Sequence, residues 1–300
     1  MSTAMRISTN QLYSHAASQI TGLSMDANTL QTQIATNKRV NAPSDDATAW
    51  RRIQTLNRAD ANSAADAANV DLAQTILGET DVALASAEKQ LQRAQELALQ
   101  GASGTLNETD RAAISAELDG IVEELFSLAN QADVRGQPLF AGATGDTAYV
   151  KQDDGTILFA GSGEPAAIPI GDGDMVQASV SGARAFGTGE DGAFAALATL
   201  ASALQTGDTA AIAKAADNIG TALSTVGATR ASVGARAIRL DYVAERFDTA
   251  STTRSESRSA LEEVDMTAAI TELQKTLTVL DATQSSFTKL SSLSLFDYLR

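Results

Sequence analysis

Chemistry at the residue level has little to work with in this chain: its 300 residues contain one histidine, His15, and no cysteine. A Ser-His-Asp relay would have to run through His15, which lies among polar neighbours with Asp26 as the nearest acid along the chain. We therefore read it as a surface or subunit-contact residue rather than a general base. Thiolate zinc sites, cysteine nucleophiles and disulfides are excluded by composition. The acid pairs Asp45-Asp46, Asp153-Asp154 and Glu262-Glu263 have residue types suited to proton transfer or to a hard cation. Helix capping and tight turns account for them without either role, and Asp172-Gly173-Asp174 is too short for a twelve-position calcium loop. Glycines at 161, 163, 171 and 173 fit turns, because neither GxxxxGK[ST] nor a strand-GxGxxG-helix pattern accompanies them. Trp50, the single tryptophan, is either a contact anchor or a core residue. These residues point to no cofactor, no metal and no enzymatic activity.

The elements that would have to carry such groups are long helices. Tyr13, Ala16, Ile20, Leu23, Ala27, Leu30 and Ile34 alternate steps of three and four, the seam of an amphipathic helix, and Asp26 is the one charged residue between Ile7 and Asn37. Ion pairs beside the seam normally select a helix's partner, and here none is available. Lys38 to Ala42 interrupts the pattern. Pro43 and Ser44 read as a helix entry, with Asp45 and Asp46 on the positive end of the dipole. Val70, Ala73, Leu77, Thr80, Leu84, Ala87, Leu91, Ala94 and Ala98 continue the spacing up to a loop at Gly101 to Leu106. A third helix, capped by Asn107 with Glu108 and Asp110 in its first turn, places Ile114, Leu118, Ile121, Leu125, Leu128 and Ala132 on one face and folds back antiparallel.

From Gly136 to Gly192 the texture changes: this stretch holds 12 of the 21 glycines and three of the four prolines, as hairpins require. Expected strands are Ala148 to Gln152, Thr156 to Ala160, Ala166 to Ile170 and Met175 to Val180, with a tight turn at Asp153-Asp154-Gly155. A short helix at Phe194 to Leu204 follows. Asp208 then opens a long helix whose seam runs Ile212, Ala216, Ile219, Leu223, Val226, Arg230, Val233, Ala237, Leu240, Ala244 and Phe247, with Arg230 the charged intruder. The polar run Thr249 to Ser259 and a slip of phase between Leu261 and Met266 suggest a joint. Met266, Ile270, Leu273, Leu277, Leu280, Gln284 and Phe287 restart the seam, and Leu293, Leu295, Phe296, Tyr298 and Leu299 close the chain with an apolar end.

The expected fold is mainly α: a long antiparallel helical bundle or coiled coil made by both chain ends, with a small β-rich insertion in the middle. Its expected divisions are an N-terminal assembly helix at 1–42, half of a bundle at 43–135, the insertion at 136–192, the other bundle half at 193–262, and a C-terminal assembly helix at 263–300 pairing with 5–37. Tyr13, Ile20, Leu23, Leu30, Ile34, Ile270, Leu273, Leu277, Leu280, Phe287, Leu295, Phe296 and Tyr298 are the candidate assembly residues. Either terminal helix alone is marginal in water. The ends are thus expected to be unstructured in a dilute monomer and to order on assembly.

With 44% hydrophobic residues the chain can bury a core, while 4% aromatic content suits thin bundles more than thick globules. A net charge of -15 and a pI near 4.4 repel phosphate backbones and anionic bilayers, so neither nucleic acid nor membrane is expected as a partner. No apolar secretion-signal core follows Met1, and no stretch is long and apolar enough for a membrane span.

Several stretches resemble the flagellin superfamily of the bacterial flagellum. Met5-Arg6-Ile7-Ser8-Thr9 is similar to its start, which leaves Met1 to Ala4 as an extension or an upstream start. Lys38 to Asp46 (KRVNAPSDD) is similar to its signature between the first two helices, although Ala47 stands where the family often has proline. Arg93 to Ala98, Asn130 to Gly142 and Arg230 to Arg236 also match. The ending Ser292 to Leu299 is closer to the hook-filament junction branch of that superfamily than to filament subunits. The resemblance implies a secreted structural subunit that leaves through the flagellar type III channel with a cytoplasmic chaperone. It implies a ring of copies between a hook-associated protein and flagellin, built through the terminal helices. Two alternatives are a filament subunit proper, and an extracellular enzyme or glycan-binding module housed in the central insertion.

Overall fold

The computed structural model describes the backbone of residues 2–103, 106–144, 147–189 and 192–298, and their side chains except those of 2–10, 12 and 290–298. Its elements, in order, are helices α1 (Ser2–Thr36), α2 (Ala47–Gly101) and α3 (Glu108–Ala129), strands β1 (Tyr149–Lys151), β2 (Ile157–Phe159), β3 (Ala167–Pro169) and β4 (Met175–Gln177), and helices α4 (Gly182–Phe186), α5 (Ala193–Thr206), α6 (Thr209–Glu262) and α7 (Met266–Tyr298). The fold is therefore mainly helical with a small β region at its middle. No described helix is long and apolar enough to cross a membrane. The chain divides into two compact units, one made of residues 1–61 with 250–300 and the other of residues 62–249.

The larger unit holds the main core. Every seam residue of α2 from Val70 to Ala98 is buried, including Thr80, whose hydroxyl donates to the Ile76 carbonyl and so needs no outside partner. On α3, Ile114, Leu118, Ile121 and Leu125 are buried as the spacing predicts. Ala132 falls past the helix end and pairs instead with Pro138, since Asn130 closes the helix on the Phe126 and Ser127 carbonyls. The start of α3 is a complete capping box: the Asn107 side chain accepts from the Asp110 N–H, and the Asp110 carboxylate accepts from the Asn107 N–H.

The β region consists of two separate hairpins. In the first, β1 and β2 pair antiparallel with Val150 opposite Leu158; in the second, β3 and β4 pair with Ile168 opposite Val176. Gly155, at φ 87°, makes the first turn where an L side chain would be strained, while the Asp154 carboxylate accepts from the Thr156 N–H. Behind the hairpins Tyr149, Phe159, Phe186 and Phe194 stack at tilted and edge-on angles, with centroids 4.9 to 6.2 Å apart. Helix α4, which the residue pattern did not announce, supplies Phe186 to this cluster. Five residues are too few to show a helical period.

Helix α6 runs unbroken through the polar run Thr249 to Ser259 and ends at Glu262, inside the phase slip expected between Leu261 and Met266. The joint falls at residues 263–265, where Asp265 caps α7 by accepting from the Thr267 and Ala268 N–H groups. One expectation about the long helices changes. Helix α2 begins at Ala47, after Asp46, because Asp46 is its cap: that carboxylate accepts from the N–H groups of Thr48 and Ala49.

Candidate assembly interface

In the smaller unit α1 lies along α7, and a T-shaped contact between Tyr13 and Phe287, 5.5 Å between centroids, ties the two helices together. On α1 the seam is the one its spacing predicts: Tyr13, Ala16, Ile20, Leu23, Leu30 and Ile34 are half-buried and Ala27 is buried. On α7 the buried line is rotated. It runs Ala269, Leu273, Thr276, Leu280, Thr283 and Phe287, so Leu273, Leu280 and Phe287 take their expected places while Ile270 and Leu277 do not. Small residues explain the rotation, because Ala269 and Thr276 let the backbones approach where the bulkier Ile270 and Leu277 would hold them apart. Met266, Ile270 and Leu277 consequently form an exposed apolar stripe on one flank of the pair. The residue types could have signalled this, since a small residue one step from each large one marks the closer-packing line. The side chains of Leu295, Phe296 and Tyr298 lie outside the described residues.

The polar faces of these helices close on themselves. Thr21, Thr29, Thr32 and Thr36 on α1, and Thr271, Thr278 and Thr288 on α7, donate their hydroxyls to carbonyls four residues earlier, and Thr283 in the buried line does the same. A face whose hydroxyls are already satisfied loses little when a neighbour covers it, in contrast to a face of charges. His15 is exposed on α1.

Between α1 and α2 the stretch 37–46 forms an elbow that locks onto the end of α6. The Arg39 N–H donates to the Glu262 carbonyl at 2.5 Å and its guanidinium to the Leu261 carbonyl at 3.0 Å, while Lys38 pairs with the Glu262 carboxylate at 2.8 Å. Val40 is buried with Ala49 and Ile53, against Trp50 and Leu261. Trp50 is thus half-buried in a small satellite core, which answers the choice left open for it. The Asp45 carboxylate accepts from the N–H groups of Asn41 and Ala42 at 2.8 Å each, and these bonds hold its pKa below the ordinary carboxylate value. Asp46 is likewise held low, first by the Ala49 N–H. Farther along, Asp60 accepts from Arg254 and Arg258 together.

In the larger unit the motif at 230–236 acts through its two arginines. Arg230, the intruder in the α6 seam, reaches Asp81 at 2.8 Å and Glu88 at 3.2 Å on α2, and those acids raise its pKa. Arg236 donates to the carbonyls of Gln177 and Ser179, which fastens the end of β4 to α6. Asp172 and Asp174, considered above as cation ligands, face Arg246 and Arg239 instead. Among the described residues no group of His, Cys, Asp and Glu is arranged to hold a metal.

Two family models match the chain: the bacterial flagellin N-terminal helical region over residues 7–144 and the bacterial flagellin C-terminal helical region over residues 216–299. A flagellar hook-associated protein 3 from Salmonella typhimurium is 34% identical over 151 residues, 50% of this chain and 48% of that protein. A B-type flagellin from Pseudomonas aeruginosa is 31% identical over 150 residues, 49% of this chain and 30% of the relative. The chain thus matches about half the length, or less, of these curated relatives. Among solved structures, the flagellar junction protein FlgL from Legionella pneumophila superposes with a TM-score of 0.59 at 13% identity, over 72% of this chain and 100% of that one, and so shares its fold.

Proposed function

Because the chain belongs to the flagellin family, whose N-terminal and C-terminal helical regions it carries, we propose that it is a structural subunit of the bacterial flagellum. Its role is that of an adaptor at the hook-filament junction, assembling into a ring through its paired terminal helices. The observation that carries this reading is the α1–α7 pair itself. Among its described side chains only Ala27, Ala269 and Thr276 are buried, and the stripe of Met266, Ile270 and Leu277 stays open on its flank. So thin a seam gives little stability to a single copy, so adjoining copies that cover the stripe supply the rest.

The role follows from that geometry by coupling of order to assembly. The self-satisfied threonine faces can be buried at small desolvation cost, and the elbow at 37–46 fixes where the pair joins α2 and α6. The subunit reaches this position by flagellar export with a cytoplasmic chaperone, and it contacts a hook-associated protein on the hook side and flagellin on the filament side. It works outside the cell as a mechanical part and catalyses no reaction. The likeness to hook-associated protein 3 in sequence supports the junction over other flagellar positions.

The test is a truncation lacking residues 293–300, produced in a bacterium whose own junction protein is deleted. We expect exported flagellin to be shed into the medium and filaments to be absent, whereas filaments of normal number and length would defeat the junction reading. A second reading, a filament subunit, draws on the 31% identity to a B-type flagellin. It requires the purified chain to grow long filaments from seeds.

A further inference from the structure

The two units differ sharply in charge. Residues 1–61 and 250–300 hold eleven acids and eleven bases, whereas residues 62–249 hold 26 acids and 11 bases, so the whole formal charge of -15 belongs to the larger unit. Within the neutral unit α2 opens with Arg51, Arg52 and Arg58 and has no acid from 47 to 59. Arg51 and Arg58 are exposed, lie seven residues and about 10 Å apart on one helix face, and point away from the Ala49–Ile53 satellite core. Their guanidiniums donate only to carbonyls of their own helix, at Ala47 and Gln54, and no ion pair is formed with them among the described residues.

A matching surface lies in the acidic unit. Helix α3 carries six carboxylates and one basic residue, Arg111. Between α3 and α5 runs a groove of about 330 Å³ lined by Glu108, Ala112, Ala116, Asp119 and Leu204, with Arg111 donating to the Leu106 carbonyl at 2.9 Å. Glu108 and Asp119 have no ion-pair partner among the described residues, and they stand on one face of the helix about 16 Å apart. Two arginines about 10 Å apart, each with a flexible stem, can reach both carboxylates while their methylenes lie over Ala112, Ala116 and Leu204.

We propose that the Arg51–Arg58 face of one copy docks into the α3–α5 groove of a neighbouring copy. The partner is a second copy of this chain because the excess of one sign on 47–59 meets the opposite excess on residues 62–249 of the same molecule's twin. Two different patches meet, so the contact is heterologous, and a heterologous contact repeated by rotation gives a ring or a helix rather than a closed pair. It rests on the reading of this chain as a self-assembling flagellar subunit and adds which charges set the order of neighbours.

The chain has no cysteine of its own, which makes site-directed cross-linking clean. Thr55→Cys, between the two arginines, and Ala112→Cys, in the groove, are placed on separate copies and co-produced in a bacterium lacking its junction protein. Isolated flagella are then treated with a short thiol-reactive cross-linker. We expect a dimer band that requires both variants, and charge reversal of Arg51 and Arg58 to glutamate should lower incorporation about tenfold at low salt. Co-production with Asp119→Arg copies should restore it. Flagella that contain both cysteine variants but give no such band, or an R51E/R58E variant incorporated at the wild-type level, would overturn the docking. Absence of the unaltered chain from isolated flagella would instead defeat the flagellar reading, and the docking with it.

Discussion

The exposed stripe on α7 separates pairing within one copy from assembly between copies, and the double substitution Ile270→Ser with Leu277→Ser exploits that separation. Fully burying an Ile or Leu side chain is worth ~1.5–3 kcal/mol. With 42% of Ile270 and 43% of Leu277 still open to water, about 1 kcal/mol per residue remains to be gained when a neighbour covers them. Removing both should therefore weaken association by about 2 kcal/mol, roughly 30-fold in the equilibrium constant. Neither residue is in the α1–α7 seam, so pairing within each assembled copy should survive. The assay compares two readouts: the amount of variant in isolated flagella relative to the amount exported, and, in the copies that do enter, the yield of an intramolecular cross-link between Tyr13→Cys and Phe287→Cys, which face each other across the seam. Leu273→Ser, a seam residue, serves as the contrast and should lower both. Normal incorporation of the double variant, or loss of that cross-link, would refute the assignment of this stripe to neighbouring copies.

Further expectations concern the parts that hold the interface in place. At Gly182 an added Cβ would sit 2.6 Å from Tyr149 Cε2 and 3.0 Å from Phe159 Cε2. These rings are packed against others, so Gly182→Ala should cost about 1–3 kcal/mol and lower the melting temperature by several degrees; an unchanged melting temperature would mean that the ring cluster yields freely. Arg230→Met should lower stability only slightly, since Arg230, Asp81 and Glu88 are partly solvated, and added salt should shrink the difference from wild type in chemical denaturation. Asp45, Asp46 and Asp60 all titrate below the ordinary value of 3.8. A carboxyl whose pKa is depressed by folding gives stability that is complete above its unfolded value and is lost as pH falls through the folded one. Protease access to 37–46 should therefore rise below about pH 4, and Asp45→Asn should blunt that pH dependence.

The helices were legible because burial along a helix leaves a period. Val70 to Ala98 kept one seam for eight turns, and the structure buries all of it. Strand positions were legible to within one to three residues because glycines and prolines punctuate 136–192 at the turns. The facing line on α7 was not, since hydrophobicity marks the widest apolar band, whereas close packing selects the narrowest profile; Ala269 and Thr276 lie where those two criteria part. Arg230 showed as an intruder in its seam, but its partners Asp81 and Glu88 are about 150 residues away along the chain, and no local pattern connects them. Arg39 posed the same difficulty: its motif was recognisable, but its attachment to the carbonyl ends of Leu261 and Glu262 depends on where α6 stops. The slip of phase between Leu261 and Met266 marked that end, but no local pattern ties it to Arg39, 222 residues away along the chain.

Charge distribution and hydroxyl chemistry together suggest how one chain can be soluble before assembly and adhesive during it. A surface that packs against its own counterpart on identical copies cannot carry net charge, because each copy would present the same sign to the next. It also cannot carry unsatisfied polar groups, because covering them would cost more than the apolar contacts return. Helices α1 and α7 go some way toward both conditions, with few charges and with threonine hydroxyls turned onto carbonyls of their own helix. The need for solubility is then met elsewhere, by the 26 acids of residues 62–249. Dividing the tasks in this way lets adhesion be tuned by a few side chains such as Ile270 and Leu277 without altering the repulsion that keeps free copies apart. The elbow at 37–46 belongs to the adhesive unit, where its carboxylates and Arg39 fix the start of α2 against the end of α6.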